Sequence, residues 1–145
     1  MGEPAHDPPS MLRITAGGLT FTARLEREIA PRTCAAFTGL LPFRNKIIQA
    51  RWSGESAWIP LGDFDIGIGF ENATSYPAPG EILLYPGGFS ETEILFPYGS
   101  TCFASKLGQL AGNHFLTVVD GREHLKELGR RVVWEGAQDI LFDPA

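Results

Sequence analysis

The chain is short of the residues that usually advertise chemistry. It has two cysteines, Cys34 and Cys102, far apart and outside any Cys-x-x-Cys pair. That excludes a disulfide scaffold and a thiolate zinc site, and leaves both as free, partly buried thiols. Its three histidines, His6, His114 and His124, form no His-Glu-x-x-His or other ligand spacing, so no metal is expected. No Gly-x-Ser-x-Gly elbow occurs. Gly67-Ile68-Gly69-Phe70-Glu71-Asn72 opens like a dinucleotide loop but lacks the third glycine and a following helix. No cofactor is therefore expected. The longest basic run is the pair Arg130-Arg131 in a chain of net charge −5, which excludes nucleic acid as a partner. No segment approaches the ~20 apolar residues that span a bilayer. The proline-rich start, Met1 to Ser10, lacks the apolar centre of a signal peptide. A cytoplasmic protein without a membrane partner is expected.

What the chain has is punctuation. Seventeen glycines and eleven prolines in 145 residues, 43% of them hydrophobic, favour one domain of strands and turns over a helical bundle. Residues 1–11 read as a mobile tail and 12–145 as the folded domain. Leu12 to Thr15 and Leu19 to Glu28 form a hairpin around Ala16-Gly17-Gly18. Pro31 suits a first helical turn, and Thr33, Ala36, Phe37, Leu40 and Leu41 recur at helical spacing until Pro42 stops the helix. Ile47 to Trp52 and Ser56 to Leu61 predict a second hairpin, and Gly62 to Pro79 a long excursion across the surface. Glu81 to Tyr85 and Glu93 to Phe96 predict further strands, and Arg131 to Trp134 and Asp139 to Phe142 the last two.

The segment Gly112 to Gly129 is the most informative. Asn113 and His114 stand at the mouth of an apolar strand, Phe115 to Val119. Asp120 and Glu123 have capping-box spacing for a short helix, in which Leu125 and Leu128 face inward and Gly129 supplies the stop.

The order of hairpin, helix, strands, long loop, strand, short helix and closing strands resembles the cyclophilins. Ala30-Pro31-Arg32-Thr33-Cys34-Ala35-Ala36-Phe37 is similar to their first helix. Gly112-Asn113-His114-Phe115 with Val118-Val119-Asp120-Gly121 resembles the segment bearing their pocket histidine. A closer resemblance, over roughly residues 12 to 143, is to small bacterial cyclophilin-like barrels of unknown function. It rests on Leu41-Pro42, Trp52-Ser53-Gly54-Glu55 and Gly80-Glu81-Ile82-Leu83-Leu84-Tyr85-Pro86-Gly87. The resemblance implies a mainly β fold, a closed antiparallel β-barrel with two short capping helices. It makes His114 the pocket histidine, lets Phe103 stand for a pocket phenylalanine, and sets Gln109 where cyclophilins often have a tryptophan. Where isomerising cyclophilins carry Phe-His-Arg, this chain reads Ile47-Ile48-Gln49-Ala50-Arg51-Trp52.

The expected site therefore gathers Arg51, Phe103 and His114 in one concavity. An Arg51 in an apolar strand needs a carboxylate, from Glu55, Glu93 or a ligand; otherwise it points outward from the barrel. Catalytic candidates are His114, Arg51 and Glu93, with His114 or Glu93 as general acid/base. Ligand-binding candidates are Trp52, Glu55, Phe103, Gln109 and Asn113. Several have a plainer alternative: His114 as a structural hydrogen-bonding group, Asn113 as a turn cap, Trp52 and Trp58 as packing, and Glu91 with Glu93 as a solvated acidic edge. The expected ligand is a small carboxylate, amide or ureide. The alternatives are a peptidyl-prolyl isomerase and a structural or interaction subunit without ligand. Aromatics between Phe64 and Phe89 on glycine-rich loops point to a homodimer or higher homo-oligomer.

Overall fold

The computed structural model describes residues 9–145. Most of the expected tail, with His6, lies outside the described residues. The first hairpin pairs β1 (Met11–Ala16) with β2 (Leu19–Leu25). Strict alternation puts Leu12, Ile14 and Ala16 of β1, and Phe21, Ala23 and Leu25 of β2, on one fully buried face. Helix α1 (Pro31–Thr38) follows, with proline in its first turn, and ends at Gly39 rather than reaching Leu41. Strand β3 (Phe43–Gln49) starts earlier than Ile47. A single 3₁₀ turn, Arg51–Ser53, leads into β4 (Gly54–Gly62).

The long excursion from Gly62 is irregular except for β5 (Ala73–Thr74). Then come β6 (Glu81–Tyr85), β7 (Thr92–Thr101), the two-residue strands β8 (Ala104–Ser105) and β9 (Gly108–Gln109), and β10 (Gly112–Asp120). Helix α2 (Leu125–Trp134) precedes β11 (Gln138–Pro144). The strands run β2-β1-β11-β3-β4-β7-β6-β10, and β10 pairs back onto β2, closing an antiparallel barrel of eight strands. β5 adds to the end of β10, and β8–β9 form a small separate ribbon. The fold is mainly β, a closed antiparallel barrel capped by two short helices.

The interior is aromatic at one end. Phe37 of α1 meets Phe43, Phe115 and Phe142 with ring centroids 5.4, 5.2 and 5.0 Å away, so the helix plugs the barrel with edge-packed rings. The β10 strand does not alternate simply. A bulge between His114 and Leu116 turns both Phe115 and Leu116 inward and sends His114 and Thr117 to the outer side.

The region after β10 differs most from expectation. Asp120 stays in the ladder opposite Thr22, so it cannot cap a helix. Gly121, at φ 87°, makes the turn instead, and a 3₁₀ turn over Arg122–His124 enters α2 with no side-chain cap. The helix runs through Gly129 to Trp134, so Arg131 to Trp134 is helical, not a strand. Leu125, Leu128 and Val132 carry its buried face. Gly129 serves close packing, since a Cβ there would fall 2.3 Å from the Tyr98 ring.

Candidate functional site

Alternation on β4, β7 and β6 builds a second apolar cluster on the outside of the barrel. Ile59, Ile94 and Leu84 point inward, while Trp58, Leu95 and Leu83 share a row on the outer face. Phe103, Leu110, Tyr85 and Ala50 complete that cluster. The cover is the segment carrying the β8–β9 ribbon. Ser53 Oγ donates to Ala104 O at 2.9 Å and accepts from Ala104 N at 3.0 Å, while Phe103 N donates to Ser75 O at 2.7 Å.

Several expected site residues border this face. Phe103 is fully buried and is itself part of the filling. Arg51 lies on the exposed 3₁₀ turn, not in an apolar strand, because the chain leaves β3 at Gln49. It forms no ion pair with Glu55 or Glu93 among the described residues. Glu55 instead accepts from Ser100 N at 2.9 Å. Trp52 stacks edge-on against Trp58 at 5.4 Å. Gln109 is exposed on the ribbon, with Tyr76 OH 3.5 Å from its amide.

Glu93 is not part of a solvated acidic edge. It is 1% exposed, on the outer side of β7 between Pro60 and Tyr85, and its Oε1 has no hydrogen-bond partner. Burial, helped by the charge of Glu91, pushes its pKa up to about 8, so the carboxyl is largely protonated at neutral pH. Sequence alternation alone could not separate it from Glu91, because burial depends on what covers the face.

His114 sits two strands from Leu95, beside Leu83. Its main chain is clamped by Asn72: His114 N donates to Asn72 O at 3.2 Å, and Asn72 Nδ2 donates to His114 O at 2.9 Å. Its Nε2 is 2.8 Å from Thr117 Oγ1. Thr117 Oγ1 donates over a long 3.4 Å to Glu26 Oε1, which also accepts from Arg24 Nε at 2.8 Å. A hydroxyl has one hydrogen, so with Glu26 receiving it, Nε2 must be the donor to Thr117. That hydrogen placement corresponds to the Nε2–H tautomer with Nδ1 as the acceptor; the opposite placement, with the hydroxyl donating to Nε2, puts the proton on Nδ1. Glu26 and Arg24 also line a concavity of about 920 Å³ between the end of β2 and α1, with Arg27, Glu28, Pro31 and Thr38. Neither Arg51 nor His114 lines it. A second concavity, about 510 Å³, is lined by Asp63, Phe64, Asp65 and Glu91.

Asn113 is a structural bridge rather than a turn cap. Wholly buried, it donates to Thr33 Oγ1 at 3.1 Å and Gly69 O at 3.0 Å, and accepts from Glu71 N at 3.1 Å. Glu71 in turn accepts from Thr33 N and Oγ1 at 2.5 and 2.8 Å, placing a carboxylate on the first turn of α1. Sequence reasoning missed Glu71, Thr33, Glu26 and Thr117; the contacts of Glu71 and Thr33, and that between Thr117 and Glu26, join residues 38 to 91 apart along the chain. Cys34 is buried and its pKa is raised to about 12 by desolvation, so it is no nucleophile. Cys102 is exposed rather than partly buried. Among the described residues, no group of His, Cys, Asp or Glu could hold a metal ion, and no helix is long and apolar enough to cross a membrane.

Two solved structures share the fold. McbB, solved in complex with tryptophan, superposes with a TM-score of 0.69 at 21% identity, over 91% of this chain and 44% of McbB. This chain thus spans less than half of that protein. The solution structure of the hypothetical protein AF2241 from Archaeoglobus fulgidus matches with a TM-score of 0.63 at 16% identity, over 99% of this chain and 100% of that one. At such identities the likeness concerns the fold alone, and neither protein bears the cyclophilin name. No curated protein matches the sequence. A family model does match residues 12–143, the whole barrel, and so the chain belongs to the protein family of unknown function DUF3830.

Proposed function

We propose that this protein is a cytoplasmic, cyclophilin-like binder of a small carboxylate, amide or ureide, with His114 as the group that meets the ligand. The observation that supports this reading is the chain from His114 through Thr117 to Glu26 and Arg24. A carboxylate behind a hydroxyl orients the imidazole and fixes which nitrogen accepts a proton, the arrangement a general base requires. In an enzymatic version, His114 Nδ1 takes a proton from an amide or ureide N–H. Glu26, salt-bridged to Arg24, then steadies the imidazolium through Thr117. The concavity lined by Glu26 and Arg24, which His114 itself does not line, is of the size small ligands use, roughly 300–1,000 Å³.

Isomerase activity has no such support, because Arg51 lies on an exposed turn. A ligand-free structural subunit draws support from one observation: Phe103 and Leu110 fill the outer cluster with the protein's own side chains. Self-association is part of the proposal, since Phe64, Phe70, Tyr76 and Phe89 are exposed.

A thermal-shift screen of small acids, amides and ureides tests the main reading. A ligand at a hundred times its Kd adds about 2.7 kcal/mol, which raises Tm by roughly 5–10 °C in a domain of this size. The shift should vanish in His114→Ala. No stabilising compound, or one that stabilises His114→Ala equally, rejects the reading.

A further inference from the structure

We infer that the outer face of β4, β7 and β6 is a second small-molecule site, one that takes an aromatic ligand bearing a neutral primary amide. Its two polar walls are already marked. The side-chain oxygens Ser56 Oγ and Glu93 Oε1 are both buried without a hydrogen-bond partner. Native structures seldom leave such groups orphaned, and each one costs stability unless something else uses it. Both lie on the outer face, Ser56 opposite Pro97 and Glu93 opposite Pro60. Along β4 these positions, Ser56 and Pro60, are four residues apart, about 13 Å at strand rise. Between them lie Trp58 and Leu95, with Tyr85 and Phe103 alongside. An aromatic floor thus runs between two unsatisfied polar ends.

The cover is built to move in part. Phe103 is held at its base through Ser75, and Ala104 through Ser53. Ala104 is thus the tethered end of β8, and the β8–β9 ladder itself is separate from the barrel sheet. Its tip, Leu107, is exposed, and Gln109 reaches Tyr76 over 3.5 Å. Leu110, on the return arm, is the buried plug. Leu110 N donates to Phe103 O at 2.9 Å, so lifting the ribbon breaks that one bond as it withdraws Leu110, and leaves Phe103 as a wall.

Ligand class follows from Glu93. A carboxyl that holds its proton offers one donor and one acceptor side by side, and a primary amide offers the complement, so two hydrogen bonds form at once. A carboxylate ligand would bury a second acid near Glu91 and lose its hydration. This site is separate from the His114 chain, and either can fail without the other.

Calorimetry with benzamide at pH 6.5 tests it, with benzoate and benzylamine as charge controls. Leu110→Ala should bind benzamide at least tenfold more tightly than the unaltered protein, and should bind neither control measurably. Adding Glu93→Leu to Leu110→Ala should weaken benzamide at least tenfold. Equal affinity with and without Leu110, benzoate binding as well as benzamide, or indifference to Glu93→Leu would each overturn the proposal. If Leu110→Ala does not fold, hydrogen exchange on the unaltered protein decides. Saturating benzamide should change exchange across 104–110, and no change there rejects the site.

Discussion

At Glu93 a carboxyl is shut away from water with one oxygen unpaired, and that has a pH signature. Its folded pKa, about 8, lies above the ordinary 4.5. Between those values the folded protein holds a proton that the unfolded chain has released. Stability from this group is therefore full below about pH 4.5 and is lost as pH rises toward about 8. Glu93→Gln keeps the shape and removes the titration, so its Tm should stay flatter than the parent's over that window. Parallel curves for the two proteins would show that Glu93 is not the group responsible. Asn113 gives a second residue-level prediction. Asn113→Ala strands Glu71 N and loses the tie to Thr33, which should cost roughly 2–4 kcal/mol in denaturant unfolding. A loss below about 1 kcal/mol would mean the bridge is slack. Asn113 was visible in the sequence as a polar residue at a strand mouth. Its role was not, because its partners lie 42 and 80 residues away.

Among the elements, α2 shows how a local signal yields to packing. Gly129 has the spacing of a helical stop, yet the helix runs through it, and the glycine serves instead to admit the Tyr98 ring into the space a side chain would need. Gly129→Ala sets two effects against each other. Helix propensity gains up to about 1 kcal/mol. Overpacking against Tyr98 costs about 1–3 kcal/mol, and with the contact at 2.3 Å it should win. The variant should unfold at lower denaturant with an unchanged m-value; a stabilised variant would contradict this packing. The capping box failed for a related reason, since Asp120 is held in the ladder opposite Thr22. By contrast, β1, β2 and β6 were legible because alternation and glycine turns act within a few residues.

For the whole molecule, the order of elements carried the fold, and barrel closure through β10 and β2 follows from it. The site was less legible. Burial on an outer barrel face depends on which loop crosses it, and nothing in the spacing of Arg51, Glu93 or His114 states that. The loop aromatics divide in the same way. Ile66 and Ile68 pack onto the core, and Tyr85 is buried with its hydroxyl accepting from Phe89 N and Ser90 N. Phe64, Phe70, Tyr76 and Phe89 remain outside, joined by Trp134, 79% exposed on α2. Light scattering at micromolar concentration should give twice the 15.8 kDa chain mass; that single mass across the dilution range would end the dimer proposal.

The proposed function stands or falls at the His114 ring, and nitrogen NMR of that imidazole tests it most directly. The account predicts a proton on Nε2 and an acceptor Nδ1, with Thr117→Val releasing that preference. A stabilising acid, amide or ureide should shift the Nδ1 resonance on titration. A proton resting on Nδ1, or a ligand that binds without moving the ring signals, would contradict the account.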